Sequence, residues 1–404
     1  MAANGAVNLL RITIMLMNTR TRIGSLSRVV AFIGMATLAA CSDKTASSIL
    51  APDQALASRD GQRSDEGAVY VTTNGVDGNE VKAFSRAADG SLTALGAFAT
   101  GGKGVGGTAD PLTSQAAAAL SPDHKFLFVV NAGSNDVSVF RIKHDGLKLV
   151  ERAPSGGVFP NSIALTDNVA YVLNATSKTV GIFSYNESGN LRVQGTAALS
   201  ANAAGPSEVR VSPNGRWLDV TERASKTIDA FRIGDVGELG APIQSASVGA
   251  GPFGFQFTPS GVVVVSEAGS ASASSYSQAG SGSLSAVSSS ISNGGQAAPC
   301  WLIVDSRGRF AYTANAGGSS ISGFAIGSNG ALTLITPGGR TGDLGAGAQP
   351  LDIDFGGDGR FIYVLKNGTG SIGAFSVNSD GTLTPLADTP GQFARSGYMG
   401  LVAY

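Results

Sequence analysis

Glu222 and Glu267 are acids in a series otherwise made of amides. Each ends an apolar run whose counterparts end in Asn131, Asn174, Asn315 and Asn367. An Asn at such a place caps the following turn by bonding its own backbone two residues on. Glutamate is too long for that turn, so capping accounts for the amides, one or two of which also reach a ligand, and not for the acids. Two carboxylates at the mouth of one shared channel push each other's pKa apart, as a general acid and base require. The structural reading of the same residues is an ion pair of Glu222 with Arg223 or Lys226.

Glu208 and Asp352 fall at strand starts, where a buried charge is costly without a partner. They are expected to face channel water, near Arg340 or Arg395, and to be candidate ligand contacts with Arg340. Cys300 follows Pro299 at such a start, but a thiolate nucleophile needs a stabilising partner, usually His. The only histidines, His124 and His144, fall in turns on the other side, so Cys300 beside Trp301 reads as wall packing. There is no phosphate loop, dinucleotide fingerprint, zinc spacing or calcium loop, and no cofactor or metal is expected. Gly101–Gly107 has the composition of a phosphate cradle without the following Ser/Thr and helix, and reads as a surface loop. The Ser-rich stretch 270–290 has no nucleophile elbow. A formal net charge of −1 gives no reason to expect nucleic acid as a partner.

The elements that must position these groups repeat seven times. A β-branched residue, two variable residues and an aromatic recur, ending in Phe84, Phe140, Phe183, Phe231, Tyr276, Phe324 and Phe375, with Ala273 opening the fifth copy. The aromatic returns every 43 to 56 residues, and a Gly and then a Leu follow each one. Most units open on Pro and an alternating strand, as in Pro206-Ser207-Glu208-Val209-Arg210-Val211, then turn through Ser212-Pro213-Asn214-Gly215. Four short strands at this period specify an all-β, seven-bladed propeller of four-stranded antiparallel blades. Both hairpin turns lie on one face. The Pro starts and the ends of the second strands lie on the other, around the channel. Residues 67–108 lack an inner strand and 397–404 are an inner strand alone, so the C-terminus is expected to pair with the first blade and close the ring.

Before the repeats, Arg20, Arg22 and Arg28 precede the apolar stretch Val29–Ala40, too short to span a bilayer comfortably. It ends in Leu38-Ala39-Ala40-Cys41, which resembles a bacterial lipobox with Cys41 as the lipidated residue. The expected organisation is a signal peptide over 1–40, a polar tether over 41–66 and the propeller over 67–404. The protein would be exported and held in the cell envelope, at the outer membrane or in the periplasm, touching membrane only through that anchor.

Taken together, the Pro starts, the Ser-Pro-Asp/Asn-Gly turns, the aromatic strands and the Asp-Gly-x-Leu endings resemble the seven-bladed lactonase family, which includes bacterial 6-phosphogluconolactonase and carboxymuconate-lactonizing enzymes. Thr221–Ile228 is similar to a family segment whose Glu lies at the channel mouth, which implies Glu222 as an acid/base or ligand-positioning residue. Family members typically carry His after the inner-strand Pro; here those positions are Asn161, Ser207, Phe253, Cys300 and Leu351. The resemblance implies hydrolysis of a lactone or cyclic ester by water that Glu222 or Glu267 activates, on a small lactone or carbohydrate-like ligand. The missing histidines leave open a non-catalytic propeller that binds a glycan, peptide or envelope partner.

Overall fold

A computed structural model describes residues 67–389 and 397–404; Cys41, the leader, the tether and Arg395 lie outside these residues. Seven antiparallel sheets follow one another along the chain. In the fourth blade, Pro206–Val211, Trp217–Glu222, Thr227–Ile233 and Leu239–Ala246 run from the axis outward. The second strand of this blade is buried along its whole length, whereas the outermost has no fully buried residue. The first blade takes its innermost strand from the C-terminus: Leu401–Ala403 pairs with Gly67–Thr72 in the register Val69↔Ala403, Tyr70↔Val402 and Val71↔Leu401. The sixth blade carries one extra two-residue strand, Gly342–Asp343, beside Ser320–Ile326.

The repeated motifs hold neighbouring blades together. The aromatics of the third strands are all buried, from Phe84 to Phe375. Second-strand tyrosines donate across to the carbonyl of the Gly in the next blade's outer turn: Tyr171 to Gly237 at 2.9 Å, Tyr312 to Gly381 at 2.8 Å and Tyr363 to Gly90 at 2.7 Å. Those glycines have φ of +91°, +84° and +86°, and a Cβ on Gly381 would stand 2.6 Å from the Phe310 ring. Glycine is therefore needed at the outer turn both for the backbone conformation and for close contact. The Ser-rich fifth blade forms regular strands, Ser272–Gln278 and Leu284–Ser292. The Gly-rich stretch 101–107 is more than a surface loop, because Gly102 and Gly104 are buried and Gly104 N–H donates to Gly75.

The inner edges of the innermost strands have no further strand to pair with, so their N–H groups need other acceptors. Side chains of the preceding blade supply them. Ser162 Oγ accepts from Val209 N, Glu208 Oε2 from Phe255 N and Gln256 Oε1 from Val304 N. At the closure, Asp352 Oδ2 accepts from Leu401 N at 2.8 Å and Asp354 Oδ2 from Ala403 N at 3.0 Å.

The expectation that Glu208 and Asp352 face channel water near Arg340 or Arg395 is therefore corrected. Both are buried acceptors of backbone N–H groups, and the guanidinium beside Glu208 is that of Arg210, with Nε at 2.6 Å. Arg340 pairs instead with Asp343 and the Gly318 carbonyl, in an exposed loop.

Nor is the channel open at the face of the Pro starts. The segment from Asp110 to Ala116 crosses it. Gln115, from the second blade, exchanges two hydrogen bonds with the backbone of Leu302 in the sixth, both at 2.8 Å. Its own N–H donates to Ser207 of the fourth blade, and Ser114 Oγ donates to Asn161 of the third. Gly254 leaves the room: a Cβ there would lie 2.1 Å from Gln115 Oε1.

Replacing Asp352 by Ala strands the Leu401 N–H at the closure, which costs about 1–3 kcal/mol. Urea unfolding of Asp352→Ala is expected to show that loss, with Asp352→Asn retaining part of it through its remaining acceptor oxygen. Equal stability of Asp352→Ala and the wild type would contradict the closure role.

Candidate functional site

Most second strands end in a buried polar position, which in blades two and six binds forward along the chain. Asn131 Nδ2 donates to Asp136 at 2.7 Å and Ser138 at 2.8 Å; Asn315 Nδ2 donates to Ser320 at 3.0 Å and Ser322 at 2.9 Å. Their partners are thus side chains five and seven residues on. The expected cap, with Asn bonding its own backbone two residues on, is corrected to this side-chain knot. Asn174 bonds the carbonyls of Ser155 and Val172. In the seventh blade the equivalent residue is Lys366, paired with Pro350 in register as Glu222 is with Pro206, and Asn367 lies one residue beyond. Asn367 donates to the Thr108 carbonyl at 3.0 Å, and Lys366 meets Asp388 at 2.5 Å.

Glu222 and Glu267 occupy the same buried position in blades four and five. Glu222 Oε2 accepts from Ser225 at 2.9 Å and Thr227 at 2.8 Å, while Oε1 has no donor. Burial, and then the neighbouring Asp229 carboxylate, push Glu222 up to about 8. Glu267 Oε1 accepts from Ser247 at 2.6 Å and Tyr276 at 3.2 Å, Oε2 is unpartnered, and burial raises its pKa. The partners of both acids are hydroxyls, not Arg223 or Lys226. Each carboxyl anchors the start of a loop: Arg223-Ala224 after Glu222, and Ala268-Gly269 after Glu267.

Those two loops wall a cavity of about 450 Å³ at the face of the Pro starts, which Asp110, Thr113, Lys226, Phe253 and Cys300 also line. A neighbouring cavity of about 230 Å³ shares Thr113 and Arg223 and adds Asn161. Asp110 turns the crossing segment with φ of +39°, and its Oδ1 is buried without a donor. Burial pushes Asp110 up to about 7 despite opposing contributions from the Ser114 N–H and the Arg223 charge. The exposed Arg223 guanidinium has no hydrogen-bond or ion-pair partner among the described residues, and it reaches Asp110 and Cys300 electrostatically. Burial pushes the Cys300 thiol up to about 12, the wrong direction for a nucleophile. Among the described residues no group of three or more His, Cys, Asp or Glu could hold a metal ion.

The cavity thus joins a carboxyl that titrates near neutrality to an unpaired guanidinium. Arg223 was within reach of sequence reasoning, as the neighbour of Glu222. Asp110 was not, because it lies in a stretch that breaks the repeat. His124, expected in a turn remote from any site, borders a different cavity on the turn face.

Several buried acids hold their protons above the ordinary carboxylate range: Asp354 to about 6, Glu208 and Asp219 to about 7, and Glu222 to about 8. Between pH 4 and 8 the folded chain therefore binds protons that the unfolded chain has released. The stability these groups contribute is complete below about pH 4 and is lost as pH rises through their folded values. The melting temperature is expected to fall from pH 5 to pH 8.5. Glu222→Gln, which keeps the shape and removes one ionisation, should flatten the upper part of that fall, as read by thermal denaturation across pH.

The family description "Lactonase, 7-bladed beta-propeller" matches residues 58–194 and 166–298. A 6-phosphogluconolactonase of Yersinia pestis is 24% identical over 164 residues, which cover 38% of this chain and 49% of the relative. The chain thus spans about half the length of the curated relative it matches. The solved structure of a periplasmic gluconolactonase from Pseudomonas aeruginosa has a TM-score of 0.65 at 18% identity, covering 83% of this chain and 99% of that one. A candidate 6-phosphogluconolactonase from Bacteroides fragilis has a TM-score of 0.67 at 18% identity, covering 84% and 98%. At these identities the structures speak for the fold alone. Since the family match extends over more than half of the sequence, and the ring has seven blades, the chain belongs to the seven-bladed β-propeller lactonase family.

Proposed function

We propose that the protein hydrolyses a lactone or related cyclic ester in the cavity between Asp110 and Arg223. The observation that carries this reading is the pairing, in one cavity of about 450 Å³, of a carboxyl near neutrality with a guanidinium that no other group occupies. A base with a pKa close to the operating pH is the most effective one. Asp110 takes a proton from water as the water oxygen bonds to the lactone carbonyl carbon. Arg223 stabilises the oxyanion that forms. Collapse re-forms the carbonyl and breaks the ring C–O bond, and Asp110 returns its proton to the departing alkoxide. The product is one hydroxy acid. Glu222 and Glu267 act here as positioning residues, holding the loops that carry Arg223 and Ala268 through their hydroxyl contacts.

Lactone hydrolysis, followed by pH-stat titration of the acid released, tests the assignment. Turnover is expected to rise with pH through about 7, the value to which burial brings Asp110. Asp110→Asn should lower kcat/KM by about 100-fold or more, the typical worth of a general base. Arg223→Gln should lower kcat with the circular dichroism spectrum unchanged. Full activity of Asp110→Asn would defeat this mechanism, and absence of turnover on every lactone tried would defeat the hydrolase reading itself.

We also infer export, with the propeller anchored in the envelope through Cys41. The Arg-flanked apolar stretch and Leu38-Ala39-Ala40-Cys41 support it, as does the likeness in fold to a periplasmic gluconolactonase. Radiolabelled palmitate should enter the wild-type protein and not Cys41→Ser, which should fractionate away from membranes. Membrane attachment and label retained in Cys41→Ser would exclude the anchor.

A further inference from the structure

The turn face carries a second cavity, separate from the one at the Pro starts. It has a volume of about 310 Å³, and Gln115 and Ala116 of the crossing segment are among its lining residues. The innermost strands of blades one, two, three, four and seven form its walls. Its side-chain chemistry comes from Arg210, Asp352, Asp354 and His124, with Glu208 beside Arg210.

An inventory of hydrogen bonds separates the spent groups from the unspent. Glu208 accepts from Arg210 Nε and Phe255 N, Asp352 from Ile353 N and Leu401 N, and Asp354 from Phe355 N and Ala403 N. Every oxygen of the three carboxyls is thus engaged. Arg210, by contrast, uses Nε alone, and its two terminal nitrogens have no partner among the described residues. The His124 ring, tilted against Tyr404 with centroids 4.7 Å apart, likewise makes no hydrogen bond there. What the walls leave over is a guanidinium fork and an imidazole, both able to donate. A fork with two parallel donors matches a planar carboxylate, held by paired charge-assisted bonds.

We propose that this turn-face cavity is a binding site for a small organic acid, whose carboxylate is held by the terminal nitrogens of Arg210 and whose polar body lies against His124. A volume near 300 Å³ sits at the lower end of ligand pockets, which fits a molecule the size of a sugar acid. The site stands independently of any reaction at the opposite face.

Titration calorimetry of the full-length protein with gluconate tests it, with uncharged sorbitol and inorganic phosphate as the other arms. Gluconate is expected to bind one to one. Arg210→Lys, which keeps the charge and loses the fork, should weaken it by about tenfold or more. The double variant Glu208→Gln/Arg210→Gln, which leaves no unpaired buried charge, should abolish binding while still melting cooperatively. Arg223→Gln, at the other cavity, should leave the affinity unchanged. The proposal is overturned if gluconate fails to bind at millimolar concentration, if sorbitol or phosphate binds as well as gluconate, or if the Arg210 variants bind like the wild type.

Discussion

The inner edge of each blade is the constraint from which the rest of this structure follows. An innermost strand can pair on one side only, and its other edge offers N–H groups to the centre of the ring, where no further strand reaches them. An unsatisfied buried donor costs as much as a lost hydrogen bond or more. The chain meets this cost with side-chain acceptors from the blade before: a serine from blade three, a glutamate from four, a glutamine from five and two aspartates from seven. Gln115 adds a bridge across the axis to Leu302, on the strand that the glutamine of blade five also serves. The ring is thus tied at its centre by side chains and at its rim by tyrosine-to-glycine contacts.

This arrangement explains why so many acids are buried in a chain with little net charge. Glu208, Asp352 and Asp354 serve as acceptors for backbone groups, and desolvation raises their pKa values as a result. Glu222 and Glu267 serve the knot at the end of the second strand, where blades two, three and six use amides and blade seven Lys366. A raised pKa is therefore common in this protein and cannot by itself mark a site. Asp110 shares an oxygen without a donor with Glu222 and Glu267, but it alone of these also lines a cavity together with a guanidinium that nothing else claims.

The fold was legible because its signals repeat. Alternating strands, Asp-Gly turns and a periodic aromatic reinforce one another over seven copies, so a weak cue in one blade, such as Ala273 in the fifth, is corrected by the others. Ring closure was legible for the same reason, from an inner strand missing at one end and surplus at the other. The candidate site was much less so. The repeat shows that Glu222 and Glu267 differ from Asn131 or Asn315, but not that Ser225, Thr227 and Ser247 would absorb them. Nor does periodicity reach Asp110 or Gln115, because the stretch from 100 to 117 has no counterpart in other blades. Arg210 was visible as an alternating strand residue, yet its importance depends on which groups across the channel are already satisfied.

Closure through Leu401–Ala403 also has a consequence for biosynthesis. Gly67–Thr72 emerges from the ribosome hundreds of residues before its inner partner exists, so the first blade waits as a three-stranded sheet with an adhesive edge. The Gln115–Leu302 bridge imposes a similar delay, since it closes a loop of nearly half the chain. Unlike an open solenoid, which can fold outward from any repeat, this ring becomes complete only with its final residues, and the nascent first blade needs protection until then.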